Sequence, residues 1–405
     1  MTRKVLLTGW GSNGGVDEAV YALCDGFQYR GVSPNVLLYS VLYKEGKKAL
    51  LKTDGGGEDI EFDTSQKMFE GIKWDGYDVI HTHQWFDTED EVQELNKRRK
   101  NVPLVSTVHG YLIHVILYDP VNRDYTRRFE NQFTDEERRK VIDEELRPLA
   151  KSQERIFRTA DRLVFLTERL LDDFRFYYTD IDTKRAVVIP NGSDIYRYYD
   201  DKRVTARAKE IKEKIGRNSQ IILYTGRFSR EKGIVDLAGA FDIVAQYYPN
   251  AKLLLVGNGY ESASVFNHIR PDFWKNIYFS NWINNRRELA AYYRASDVFV
   301  APSYNESFGL SILESLMMAT PVITSDIDGP RELFVKPGLS LGIEPGNIEQ
   351  LASLITYLLS RPGESKQKTL KAQRTAIERY NLDNTVDKTL RLYEEVIREK
   401  RRIRV

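Results

Sequence analysis

Short apolar runs closed by Gly, Asn or Asp alternate along the chain with longer stretches of helical period. This rhythm belongs to repeated strand–helix–strand units, whose strands are covered on both faces and so read as continuous apolar runs. In the first half the runs predict strands at Val5–Thr8, Asn35–Tyr39, Val79–Ile80, Leu104–Thr107, Arg162–Leu166 and Ala186–Ile189. In the second half they predict strands at Ile221–Tyr224, Lys252–Val256, Ile277–Phe279, Val298–Ala301 and Val322–Thr324. A chain of 405 residues exceeds what one core usually supports, so the fold class expected is α/β, with two Rossmann-like, doubly wound parallel-sheet domains.

Pro190-Asn191-Gly192 is a turn signal after a strand and opens a polar stretch reaching Ser219, which places the boundary near residue 195. The domains expected are residues 1–195 and 196–385. A last helix from about 386 to 405, with an apolar stripe of Val386, Leu390, Tyr393 and Ile397, is expected to pack back on the first. The stretch from Tyr111 to Ala150 is longer than a minimal sheet domain needs, and such insertions are usually functional.

Charge sets further bounds. A net charge of +1 gives no general attraction to nucleic acid, so no nucleic-acid partner is expected. Lys97-Arg98-Arg99-Lys100 and the basic run from Arg398 to Arg404 read as solvated helix faces. The single cysteine, Cys24, reads as a small buried side chain in a reducing compartment. Val5-Leu6-Leu7 is too short a run for a secretory signal, and no stretch approaches the roughly 20 apolar residues of a membrane span. The expected location is the cytoplasm, with peripheral membrane contact left open.

Three loops carry chemistry. Gly9-Trp10-Gly11-Ser12-Asn13-Gly14-Gly15 follows the first strand and precedes a helix, where glycine lets backbone N–H groups approach an anion; a plain tight turn is the alternative. Thr225 to Gly233 follows the first strand of the second half and holds Arg227 and Lys232, a planar fork and a flexible point charge that together can neutralise a diphosphate. A solvated loop with Arg227 paired to Glu231 is the alternative there. Asn305 to Glu314 enters a helix marked by Leu310, Leu313 and Met317, so Ser307 to Leu310 supply first-turn N–H groups. Glu306 lies just before that helix, and Glu314 about two turns along, able to accept from a ribose diol or else sit on the surface.

Histidines are few. His81, His83 and His109 all follow predicted strands, at the ends where open α/β sheets bind ligands, and His109-Gly110 is the best placed. A structural hydrogen-bond partner is the competing reading for His81 and His83. Asp180-Ile181-Asp182 and Asp326-Ile327-Asp328 have the spacing of a metal–diphosphate site, but Arg227 and Lys232 already bring positive charge, so no metal is expected.

Taken together, these residues resemble glycosyltransferase family 4, retaining enzymes of the GT-B fold, over nearly the whole chain. The family's Glu-x7-Glu motif is matched by Glu306 and Glu314 around Ser307-Phe308-Gly309, followed by Ala319-Thr320-Pro321-Val322 and Asp328-Gly329-Pro330-Arg331-Glu332. Gly226, Arg227, Lys232 and Gly233 match Gly-Arg-x4-Lys-Gly, and Gly257-Asn258-Gly259 matches the loop after the next strand. Gly14-Gly15, Asp78 to His83, His109-Gly110 and Pro190-Asn191-Gly192-Ser193-Asp194 are also similar. Two departures stand out. Ser12-Asn13 replaces the lysine that precedes the glycine pair in bacterial glycogen synthases, and Asp328 stands where many members have glycine.

The resemblance implies two domains facing each other across a cleft, with the first as acceptor domain and the second as donor domain. It implies that Arg227 and Lys232 hold the diphosphate, that Glu314 holds the ribose, and that Glu306 with the Phe308–Leu310 amides holds the donor sugar. His109 would sit against that sugar. Gly14, Gly15, Gly226, Asn258 and Ser307 complete the expected donor site, and His81, His83 and Asn191 the expected acceptor site. The expected activity is transfer of a hexose, glucose first, with retention, from a nucleotide-diphosphate sugar, UDP first, to a hydroxyl of a small molecule, glycan or lipid. No cofactor beyond that donor is implied. A GT-B epimerase or phosphorylase, and a nucleotide-sugar sensor without turnover, are the rival readings.

Overall fold

The computed structural model describes residues 3–9, 15–42, 46–52, 60–62, 65–83, 89–110 and 133–402. They fall into two compact units, one built from the chain up to Gly192 and again from Leu382 onward, the other from Ser193–Asn381. Gly14 and residues 111–132 of the predicted insertion lie outside the described residues.

The first unit holds eight strands: β1 (Lys4–Gly9), β2 (Ser33–Leu42), β3 (Gly46–Lys52), β4 (Ile60–Phe62), β5 (Val79–Thr82), β6 (Leu104–Val108), β7 (Arg162–Phe165) and β8 (Ala186–Val188). Their order is β4-β3-β2-β1-β5-β6-β7-β8. Every pair from β2 to β8 is parallel, whereas β3 and β4 add an antiparallel edge to β2. Val5, Leu6 and Leu7 are fully buried, as a strand covered on both faces requires.

The helix Leu382–Arg402 belongs to this unit, where Val386, Leu392, Tyr393 and Val396 join a core shared with Val20, Leu23 and Phe27. Leu390 and Ile397 of the predicted stripe are only partly buried beside it. Its polar side is tied down by Arg30 to Asp383 and Asp387, each at 3.2 Å, and by Arg3 to Glu394 at 3.0 Å. Cys24 is half-buried against the same core.

The second unit is an all-parallel sheet of six: β9 (Gln220–Thr225), β10 (Ala251–Val256), β11 (Ile277–Ser280), β12 (Val298–Ala301), β13 (Val322–Ser325) and β14 (Leu341–Ile343). Their order is β11-β10-β9-β12-β13-β14, so the direction of winding reverses between β9 and β12. The polar stretch read as a boundary is in fact occupied by the helix Lys202–Ile215, which starts on an Asp201 cap and buries Val204, Ala208, Ile211 and Ile215.

All the predicted strands are present, with ends shifted by a few residues, while β3, β4 and β14 were not foreseen. In the cluster Lys97 to Lys100 the lysines are exposed as expected, and Arg99 departs from the solvated face. Arg99 is buried, donating to the Val102 carbonyl at 2.7 Å and to Asp161 at 3.1 Å, so it clamps the β6 end of the helix Glu89–Arg99.

Candidate functional site

Ligands of open α/β sheets sit beyond the carboxyl ends of the strands where the order reverses. In the second unit that point lies between β9 and β12, and the loops leaving these strands are the ones carrying Arg227 and Lys232 and carrying Glu306. Sheet topology therefore brings together two motifs that are far apart in sequence.

The loops are knitted by backbone bonds. Tyr304 N–H donates to the Glu231 carbonyl at 2.8 Å, and Phe228 N–H donates to the Asn258 carbonyl at 2.7 Å, tying the β9 loop to its neighbours on both sides. Gly233 has φ +68° and a Cβ there would lie 2.0 Å from the Pro302 carbonyl oxygen, so glycine is required for the β9 and β12 loops to approach. Gly329, after β13, is packed so closely that a Cβ would lie 2.1 Å from the Ser307 carbonyl oxygen.

Within this cradle Lys232 Nζ meets Glu306 Oε2 at 2.9 Å and the Asn305 carbonyl at 3.4 Å. Arg227, with 62% of its side chain exposed, pairs with Glu231 at 2.6 Å, which is the pairing foreseen as the alternative. The first helical bond of Leu310–Met317 runs from Leu313 N–H to the Gly309 carbonyl at 3.0 Å, so the preceding amides have no acceptor inside the helix. Phe308 turns its ring into the core, edge-on to Phe334 and Tyr380 at 6.2 Å each. Asp328 has φ +34°, in the left-handed region that favours glycine.

Glu314 is not a surface residue. It is 2% exposed, and its carboxylate receives Arg286 at 3.1 Å, Tyr293 Oη at 3.3 Å and Ser193 Oγ at 3.5 Å. Arg286 also reaches Asp194 at 3.2 Å and Ser193 Oγ at 2.8 Å. Burial pushes the Glu314 carboxyl above its usual range, and the Arg286 guanidinium opposes that rise. Nothing in the sequence linked Arg286 or Tyr293 to Glu314.

In the first unit, Gly15 begins the helix that follows β1. His81 is a core residue: Nδ1 meets Tyr393 Oη at 2.5 Å and Nε2 meets Thr107 Oγ1 at 2.7 Å. Both ring nitrogens are occupied, so the acceptor role expected of His81 is withdrawn in favour of the structural one. His83 Nδ1 meets His109 Nε2 at 3.0 Å. Asn191 is buried two residues before the second unit begins. The two Asp-x-Asp pairs face arginine: Asp180 takes Arg147 at 3.3 Å and Arg158 at 2.5 Å, and Asp326 takes Arg331 at 3.0 Å. Among the described residues no helix is long and apolar enough to cross a membrane.

Two family models match the chain in succession: Glycosyltransferase Family 4 over residues 13–197 and Glycosyl transferases group 1 over residues 207–376. The chain belongs to the family 4 glycosyltransferases. It is 28% identical over 329 residues to the D-inositol 3-phosphate glycosyltransferase of Rhodococcus jostii, covering 78% of this chain and 66% of that protein. The chain thus spans just under two thirds of that relative's length. Among solved structures, sucrose-phosphate synthase from Thermosynechococcus elongatus matches with a TM-score of 0.72 at 18% identity, over 98% of this chain and 100% of the other. Anabaena HepE in complex with UDP-glucose matches with a TM-score of 0.65 at 17% identity, over 96% and 99%. At such identities the likeness is one of fold, and that fold is GT-B.

Proposed function

We propose that this glycosyltransferase is a retaining hexosyltransferase that moves glucose from a UDP-linked donor to a hydroxyl acceptor and needs no metal. The second unit is the donor unit, and the first handles the acceptor. Lys232 and Arg227 leave their glutamate partners for the diphosphate, Glu306 and the amides from Ser307 to Leu310 take the sugar, and Glu314 meets the ribose. Gly15 offers a further helix-start amide, and His83 and Asn191 remain the acceptor-side residues.

The bond from the anomeric carbon to the diphosphate oxygen breaks and its electron pair stays on the diphosphate. The acceptor oxygen joins the anomeric carbon on the same face, and its proton passes to that diphosphate oxygen. Cations fixed in place before the reaction stabilise the departing charge without reorganisation, so no dedicated nucleophile is needed. His109 of the first unit acts in the same reaction on the donor sugar.

The observation that carries this reading is the meeting of Lys232 and Glu306 at 2.9 Å where the sheet reverses, beside an open helix start. The HepE complex with UDP-glucose supports the choice of donor, and the relative named for inositol phosphate supports a sugar-phosphate-like acceptor. Incubation with a panel of nucleotide sugars and acceptors, in a chelator, tests it by the anomeric configuration of the product. Transfer from UDP-glucose with the donor's configuration is the predicted result. An inverted product, or activity restored only by a divalent cation, contradicts it.

A further inference from the structure

The chain holds five histidines, and three of them, His81, His83 and His109, stand together at the carboxyl ends of β5 and β6. The rings of His81 and His83 lie 4.3 Å apart, and those of His83 and His109 5.3 Å apart. His81 is locked by Tyr393 and Thr107. His83 is 3% exposed, and its Nε2 is buried without a hydrogen-bond partner among the described residues. Burial lowers all three pKa values, His81 to about 3, His109 to about 4 and His83 well below the usual range, so each ring is neutral near pH 7.

Two neutral imidazoles joined by one hydrogen bond have only two arrangements. If His109 Nε2–H donates, His83 carries its own hydrogen on Nε2, where a buried N–H finds no acceptor. If His83 Nδ1–H donates, that Nε2 is a bare lone pair and the hydrogen of His109 sits on Nδ1. Leaving a buried donor unmade costs about 1–3 kcal/mol, and orphaned N–H groups are rarer than under-used acceptors. We propose that His83 is a positioning residue that fixes His109 as its Nδ1–H tautomer, so that His109 meets a sugar hydroxyl oxygen as a hydrogen-bond donor and not as a base. The tautomer follows from the His83–His109 contact, the buried His83 Nε2 and the neutrality of both rings; the sugar as its target rests on the transferase reading above.

Long-range proton–nitrogen correlation spectra of the full chain with ring-labelled histidine read the tautomer directly, assigned through single His→Gln variants. The result expected is a protonated Nδ1 and a bare Nε2 at His109. His83→Ala should release that preference and lower kcat/KM about tenfold or more, the worth of one hydrogen bond. His83→Asn, whose amide N–H can donate from the place of Nδ1, should restore both. A protonated Nε2 at His109 in the unaltered chain, or an unchanged His109 signal in His83→Ala, overturns the proposal. If His83→Ala fails to fold, the spectrum of the unaltered chain still decides, and it does so whether or not any sugar is transferred.

Discussion

Glu314 and Arg286 illustrate how differently single residues announce themselves. The placing of Glu306 and Glu314 is legible because Leu310, Leu313 and Met317 mark a helix that opens just after Glu306 and carries Glu314. That Glu314 would be buried under Arg286, Tyr293 and Ser193 was not, because those partners come from a different helix and from the chain's entry into the unit. The pair has a measurable consequence. Replacing Arg286 with Ala leaves a buried carboxylate without its cation, which should cost about 3–5 kcal/mol in urea unfolding and drive the Glu314 pKa further upward. A loss below about 0.5 kcal/mol would mean the carboxyl is already neutral and the ion pair contributes little.

Among elements, the strands were readable because parallel strands buried on both faces must be uninterrupted apolar runs. The exceptions have physical reasons. β3, Gly46–Lys52, carries three lysines and lies in the antiparallel edge of its sheet, while β4 and β14 are three-residue segments interrupted by Glu61 and Gly342, unlike the equally short apolar β8. The glycine loops were visible as candidates, but which loops touch was set by strand order. Gly329 makes that contact testable. Gly329→Ala drives a methyl against the Ser307 carbonyl, so the Ser307–Gly309 turn must move and the KM for the donor should rise about tenfold or more, with kcat less affected. Steady-state kinetics with unchanged KM would show that this turn does not hold the donor.

For the molecule as a whole, the buried histidines make acid the natural way to undo the first unit. Their folded-state pKa values lie below the unfolded value near 6.5, so the unfolded chain binds protons first and stability, intact above that pH, falls as pH drops below it. Each histidine lowered in this way contributes at most about 1.4 kcal/mol per pH unit, so about 2–4 kcal/mol should be lost between pH 6.5 and 5.5. Urea midpoints measured across that window check the slope, which should fall to about a third in His81→Gln/His83→Gln, where His109 remains; a flat profile in the unaltered chain would place the histidines in contact with water.

If Lys232 and Arg227 leave Glu306 and Glu231 to bind a diphosphate, calorimetric titration with UDP registers the contribution of each cation. A charge-assisted bond is worth about 1.5–3 kcal/mol, so Lys232→Ala should weaken UDP binding about 10–100-fold, and Arg227→Ala by a similar factor. If both variants bind UDP as tightly as the unaltered chain, the diphosphate is not held at this reversal of the sheet.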